Sequence, residues 1–252
     1  MIRVTIWYEY TQEKDELERL KADPECEKHI FAVYPDGVMQ TLADALRKKP
    51  DMDVRLVNMY MPECGLTDEV IDSTDVLIWW AHHSHDDVPD RLVSKVVERV
   101  NMGMGFIALH SAHKSKPFMA LMGTSGCLKW RDGDFERVWT VDPSHPIAAG
   151  IPEYFELPRE EMYGEPFDIA RPDDVVFMGW FRGGEVFRCG CTWQRGYGKV
   201  FYFQPGHESN PSFNNPYVIR IITNAVRWAA PAVWREKLDC PNPAAPEASD
   251  RS

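Results

Sequence analysis

The sequence predicts an α/β chain built on a largely parallel sheet with helices on both faces and an antiparallel extension. Three observations carry this. Strand-like and helix-like segments alternate with short links through the first half. Two of the strand-like runs, 75–81 (DVLIWWA) and 105–109 (GFIAL), are apolar throughout, as strands covered on both faces are. After about residue 124 the strand-like segments follow one another across tight Gly-containing turns.

Taken in order, residues 2–8 (IRVTIWY) form a β-branched and aromatic strand. The polar stretch 10–30 lacks hydrophobic period and reads as a long loop with at most one exposed helix. Pro35-Asp36-Gly37 leads into a helix with Met39, Leu42, Ala43 and Leu46 on one face. Residues 53–59 and 75–81 are the second and third strands. Asp86, Asp87 and Pro89 signal a helix start, with Val88, Leu92, Val93, Val96, Val97 and Val100 inward and Gly103 and Gly105 at its end. Strand 105–109 runs into a helix expected over 110–122. Strands follow at 134–142, 174–181, 185–194 and 199–204, with turns at Gly183-Gly184 and 195–198, and an amphipathic helix closes the fold at 216–229. One domain over 1–238 and a disordered Pro/Ala/Ser-rich tail over 239–252 are expected.

Composition excludes several classes of function. The net charge of -11 repels phosphate backbones and anionic membrane surfaces, so neither nucleic acid nor membrane is an expected partner. No apolar run approaches the roughly 20 residues that span a bilayer. The start, MIRVTIWYEY, has no basic n-region or apolar h-region, which predicts a cytoplasmic protein. The six cysteines are scattered without CxxC spacing, and Cys189 and Cys191 read as two small residues on one strand face.

In open parallel sheets ligands bind beyond the carboxyl ends of the strands, and three such places carry histidine. His82-His83-Ser84-His85 follows strand 75–81: imidazoles in this number suit a metal or general acid–base chemistry, or else belong to a solvated loop before a helix. His110-Ser111-Ala112-His113 follows strand 105–109 at a sharp strand-to-helix turn, the geometry of a nucleophile elbow with His110 at the tip. Pro205-Gly206-His207-Glu208 follows strand 199–204, with Glu208 placed to orient an imidazole. A fourth patch, Glu160-Glu161-Met162-Tyr163-Gly164-Glu165, offers a carboxylate and a hydroxyl, or is a solvated acidic loop. His145-Pro146 reads as a structural turn and His29 as a surface residue. Abundant tryptophan suits apolar sugar faces but is commonly core.

The runs GFIALHSAH (105–113), EEMYGE (160–165) and GYGKVFYFQPGHE (196–208) resemble the trehalose-utilisation, or ThuA-like, family over roughly residues 1–230. The resemblance implies a three-layer, flavodoxin-like fold similar to class I glutamine amidotransferases, and a role in carbohydrate metabolism. Those amidotransferases carry cysteine at the elbow; His110 stands there in this chain, so a glutamyl thioester has no nucleophile and glutaminase activity is not expected.

The leading expectation is an enzyme (hydrolase, lyase or isomerase) on a sugar or keto-sugar. His110, His207, Glu161 and Tyr163 are the expected catalytic residues, and Ser111, His113 and Glu208 contact substrate. A divalent metal, zinc first, is expected on His83, His85, His110 and His207, with His82 as a further candidate, and no nucleotide cofactor. A metal-free version has His110 and His207 exchanging a proton. The rival from another class is a non-catalytic sugar-binding or regulatory domain on the same scaffold. Homo-oligomerisation is expected, with no residue specifying the symmetry.

Overall fold

A computed structural model describes residues 1–238, so the C-terminal tail expected to be disordered lies outside the described residues. The strands are β1 (Ile2–Tyr8), β2 (Met52–Asn58), β3 (Val76–Trp80), β4 (Gly105–Leu109), β5 (Lys129–Thr140), β6 (Tyr154–Gly164), β7 (Asp174–Phe181), β8 (Val186–Arg195) and β9 (Gly198–Phe203). The helices are α1 (Thr11–Ala22), α2 (Ile30–Val33), α3 (Val38–Arg47), α4 (Asp68–Asp72), α5 (Asp90–Met102), α6 (Lys116–Met122) and α7 (Pro216–Ala229).

All nine strands join one sheet in the order β2-β1-β3-β4-β9-β8-β7-β5-β6. The pairings from β2 to β9 are parallel, and those from β9 to β6 are antiparallel, which is the extension the sequence predicts. Helix α3 packs with α7 against β1 and β4, while α5 packs with α4 and α6. The helix faces follow the predicted period: Met39, Leu42, Ala43 and Leu46 of α3 and Leu92, Val93, Val96 and Val100 of α5 are buried. Helix α7 starts where the sequence places it, because Asn215 accepts hydrogen bonds from the Tyr217 and Val218 amides and Pro216 fits the first helical turn.

Three local expectations are corrected. The one helix allowed for in the polar stretch 10–30 is present as α1, but it is not wholly exposed: its inward residues are carboxylates, Glu13 and Glu16, so it leaves no apolar period to read. Residues 154–164, where the sequence predicts no strand, form strand β6; of the two readings of its acidic end the solvated loop fails, since Glu160 and Glu161 are buried there. The helix expected over 110–122 breaks: a 3₁₀ turn spans His110–Lys114, Ser115 is extended, and α6 restarts behind it with the Ser115 hydroxyl accepting from the Phe118 amide.

Topology fixes where chemistry gathers. Strands β1, β3, β4 and β9 are parallel neighbours, so the residues after them emerge at one edge of the sheet. Between β9 and β6 the chain direction reverses at each antiparallel pairing, and the even number of reversals returns β6 to the direction of β9. The carboxyl end of β6, with Glu160, Glu161 and Tyr163, therefore faces the same edge.

Candidate metal and substrate site

A cleft of about 670 Å³ opens at this edge, lined by His82, His83, His85, Ser111, His113, Glu161, Tyr163, His207 and Glu208. Such a volume suits a small polar organic ligand. Its rim carries Lys114, Cys127, Asp132, Arg159 and Trp130, a residue 64% exposed.

His110 lies beneath the cleft, fully buried and outside its lining, with φ +54. A non-glycine residue in the left-handed region is strained by about 1–3 kcal/mol, and such strain concentrates at functional turns. The elbow read from the sequence is present, and it turns the imidazole under the cleft. Nδ1 lies 3.0 Å from the Gln204 carbonyl oxygen, and Nε2 lies 3.1 Å from Glu161 Oε2. Burial disfavours the charged imidazole, but the Glu161 carboxylate outweighs it and raises His110 above its ordinary range. Glu161 is pushed up by burial and pulled further down by His110, His207 and His82, to about 2. Oε2 of Glu161 nonetheless has no aligned hydrogen-bond partner.

The other imidazoles are oriented one by one. His82 Nδ1 contacts both Glu208 oxygens, at 2.8 and 3.0 Å. Burial pushes Glu208 up, and the His82 hydrogen bond overcomes it, lowering it to about 2. His207 Nδ1 accepts from the Ser209 amide at 3.1 Å. His113 Nδ1 donates to the Gly126 carbonyl at 2.6 Å, and burial drives its pKa to about 3, so it faces the cleft as a neutral ring. Ser111 and Tyr163 share a hydroxyl–hydroxyl bond of 2.7 Å, and Tyr163 stacks on His110 at 5.3 Å between centroids.

The set of imidazoles expected to hold a metal is not the set that converges. His82, His110, Glu161 and His207 each bring one ligand atom within 4.8 Å of the others. His83 groups only with His82 and Glu208, and His85 joins neither group among the described residues. The cause is the turn after β3. Glu9, at the end of β1, accepts the amides of His83 (3.1 and 3.0 Å) and Ser84 (2.8 Å), which rolls the chain so that His82 faces inward. His85 starts a 3₁₀ turn with Nδ1 buried and unpartnered, and burial lowers its pKa to about 4. Glu161 and Tyr163 stand where the sequence reading placed them in the pocket, Ser111, His113 and Glu208 line it, and His110 and His207 meet at 5.4 Å between ring centroids. As expected, His145 caps a short 3₁₀ turn by accepting from the Ile147 amide, and His29 is exposed.

Sequence reading missed Glu9, Glu160 and Gln204. Glu160, fully buried, accepts from the amides of Glu161 (2.9 Å), Gly206 (3.0 Å) and His207 (3.4 Å), from Asn210 Nδ2 (3.3 Å) and from the Ser212 hydroxyl. It ties the strand carrying Glu161 to the loop carrying His207. The only sequence signal was its place beside Glu161.

An elbow histidine at the carboxyl edge of a mixed sheet, faced by a buried Glu-x-Tyr strand, defines a three-layer α/β protein with an imidazole–carboxylate pocket. The chain belongs to the trehalose-utilisation (ThuA) family, whose model matches residues 28–229. No curated protein matches it in sequence. Among solved structures, a ThuA-like protein from Parabacteroides merdae is similar with a TM-score of 0.66 at 14% identity, over 94% of this chain and 92% of that one. A ThuA-like protein from Bacteroides uniformis matches with a TM-score of 0.59 at 15% identity, over 90% and 91%. A structure described as a cytoplasmic protein from Salmonella typhimurium matches with a TM-score of 0.54 at 15% identity, over 78% and 88%. At these identities the likeness shows the fold. Among the described residues, no helix is long and apolar enough to cross a membrane.

Proposed function

We propose that this protein is a cytoplasmic carbohydrate enzyme that holds a divalent metal, zinc first, at the floor of the cleft and acts on a sugar or keto-sugar. The observation that carries the reading is the convergence of Glu161 Oε2, buried, without an aligned hydrogen bond and 3.1 Å from His110 Nε2, with ring nitrogens of His82 and His207, all four atoms within 4.8 Å of one another. Buried polar atoms are almost always partnered, and one aimed at converging imidazoles fits a cation. The donor set, imidazoles plus a carboxylate, is of the kind zinc and other first-row ions take. An ion bound there supplies Lewis acidity toward a substrate carbonyl or a bound water.

The chain's own residues do the rest. Glu208 fixes the His82 tautomer, and the Gln204 carbonyl fixes that of His110. The neutral His113 ring and the Ser111–Tyr163 pair offer acceptors and donors to sugar hydroxyls. Trp130 at the rim offers a face to apolar C–H patches of the ring. The elbow carries His110, so the chemistry runs without a thiol nucleophile and without glutaminase activity. The cytoplasmic setting is supported by the description of the Salmonella neighbour.

Elemental analysis of the purified protein, with Zn²⁺ titration of Glu161→Gln and His110→Ala, tests the proposal. One equivalent of metal in the wild type, with affinity reduced about 100-fold or more in both variants, supports it. Wild-type protein that binds no metal, together with His110→Ala protein that keeps full sugar affinity, sinks the enzyme reading and leaves a binding domain.

A further inference from the structure

Building on that metal reading, we infer that His207 is not a ligand but a fixed hydrogen-bond donor to the substrate, so that His82, His110 and Glu161 alone form the metal set. What each outer nitrogen touches sets the tautomer of its ring. A carbonyl oxygen only accepts, so His110 Nδ1, 3.0 Å from the Gln204 oxygen, carries a proton; Nε2 faces the Glu161 carboxylate at 3.1 Å, and a bound ion takes the place of the proton held between those two atoms. Both Glu208 oxygens contact His82 Nδ1, so the proton is on that nitrogen and the Nε2 lone pair is free. His207 is reversed. A backbone N–H only donates, and the Ser209 amide points at His207 Nδ1 from 3.1 Å, with the Ser209 hydroxyl at 3.0 Å. Nδ1 is therefore the acceptor, and the neutral ring carries its proton on Nε2, where it has no lone pair to give a metal.

The loop is held in this arrangement. Glu160 gathers the Gly206 and His207 amides and the Asn210 and Ser212 side chains on either side of Ser209. The His207 ring lines the cleft 5.0 Å from the His82 ring and 5.4 Å from the His110 ring, so its N–H is offered to an oxygen of a substrate held there. No proton is transferred in this role. The hydrogen bond shortens as a substrate carbonyl oxygen gains negative charge, and the imidazole stays neutral throughout. Two imidazoles and one carboxylate leave coordination positions open for substrate, as a catalytic metal site requires.

Zn²⁺ titration by calorimetry and the visible spectrum of the Co²⁺-loaded protein separate the roles. His207→Ala and His207→Gln are expected to keep Zn²⁺ affinity within about threefold of wild type and to leave the Co²⁺ spectrum unchanged. His82→Ala, His110→Ala and Glu161→Gln are expected to lose 100-fold or more. Equal loss in either His207 variant, in protein whose circular dichroism matches wild type, overturns the assignment while leaving the metal reading intact. Wild-type protein that takes up neither ion overturns both.

Discussion

Four buried glutamates, Glu9, Glu13, Glu16 and Glu160, do not pair with arginine or lysine as their main contacts but gather backbone amides from other segments. A carboxylate accepts several N–H groups at once, so each one pins a loop whose own amides would otherwise be buried unpaired. Glu16 accepts the amides of His29 (3.1 Å), Ile30 (2.9 Å) and Phe31 (3.2 Å), and Glu13 accepts that of Val38 at 2.6 Å. Burial outweighs that hydrogen bond at Glu13 and pushes its pKa from 4.5 to about 7. The sign of the linkage follows. Between those values the folded chain holds a proton that the unfolded chain has released, so stability falls as pH rises through that window. Glu13→Gln keeps an acceptor for Val38 and removes the titration. Denaturant melts are expected to show variant and wild type alike near pH 4.5 and the variant more stable at pH 8, by about 3 kcal/mol at most. A difference independent of pH refutes the assignment.

At the scale of elements, the site depends on backbone that few residues tolerate. Gly206, between β9 and His207, has φ +144, and a Cβ there would stand 2.7 Å from the Phe213 ring and 3.5 Å from the His110 Cβ. Gly206→Ala is expected to cost about 2 kcal/mol by urea denaturation and to weaken Zn²⁺ binding, since it strains the backbone just before His207 and pushes the Phe213 ring away. An alanine variant with wild-type stability and affinity shows that the loop is not under this constraint. Elements with apolar periods, such as α3, α5 and α7, were legible because hydrophobic spacing is their signal. Helix α1 and strand β6 were not, because their inward faces carry Glu13, Glu16, Glu160 and Glu161, which a hydrophobicity reading assigns to solvent. The break at Ser115 was written in Ser115 and Pro117, but the elbow's left-handed His110 hid the short turn before it.

For the whole molecule, the candidate site joins segments far apart in the chain, so an ion bound there acts as a cross-link that only the folded state supplies. Zn²⁺ at a hundred times its Kd is expected to add about 2.7 kcal/mol of stability. For a chain of this length that corresponds to a Tm rise of roughly 5–10 °C, reversed by chelator. Calorimetric scans with and without Zn²⁺ check this, and an unchanged Tm at saturating ion counts against the proposed site.

By itself the sequence determined the alternation of strands and helices, the elbow at His110, and the gathering of histidines after β3, β4 and β9. Each of these depends on local pattern and chain direction. Only the tertiary structure decided which histidines converge. A loop's side chains turn inward or outward according to contacts from distant segments: Glu9, just after β1, rolls His82 toward the cleft floor, and Glu160 of β6 sets the His207 loop beside it. No spacing within the His82–His85 run encodes that rotation, because the groups that impose it lie dozens of residues away.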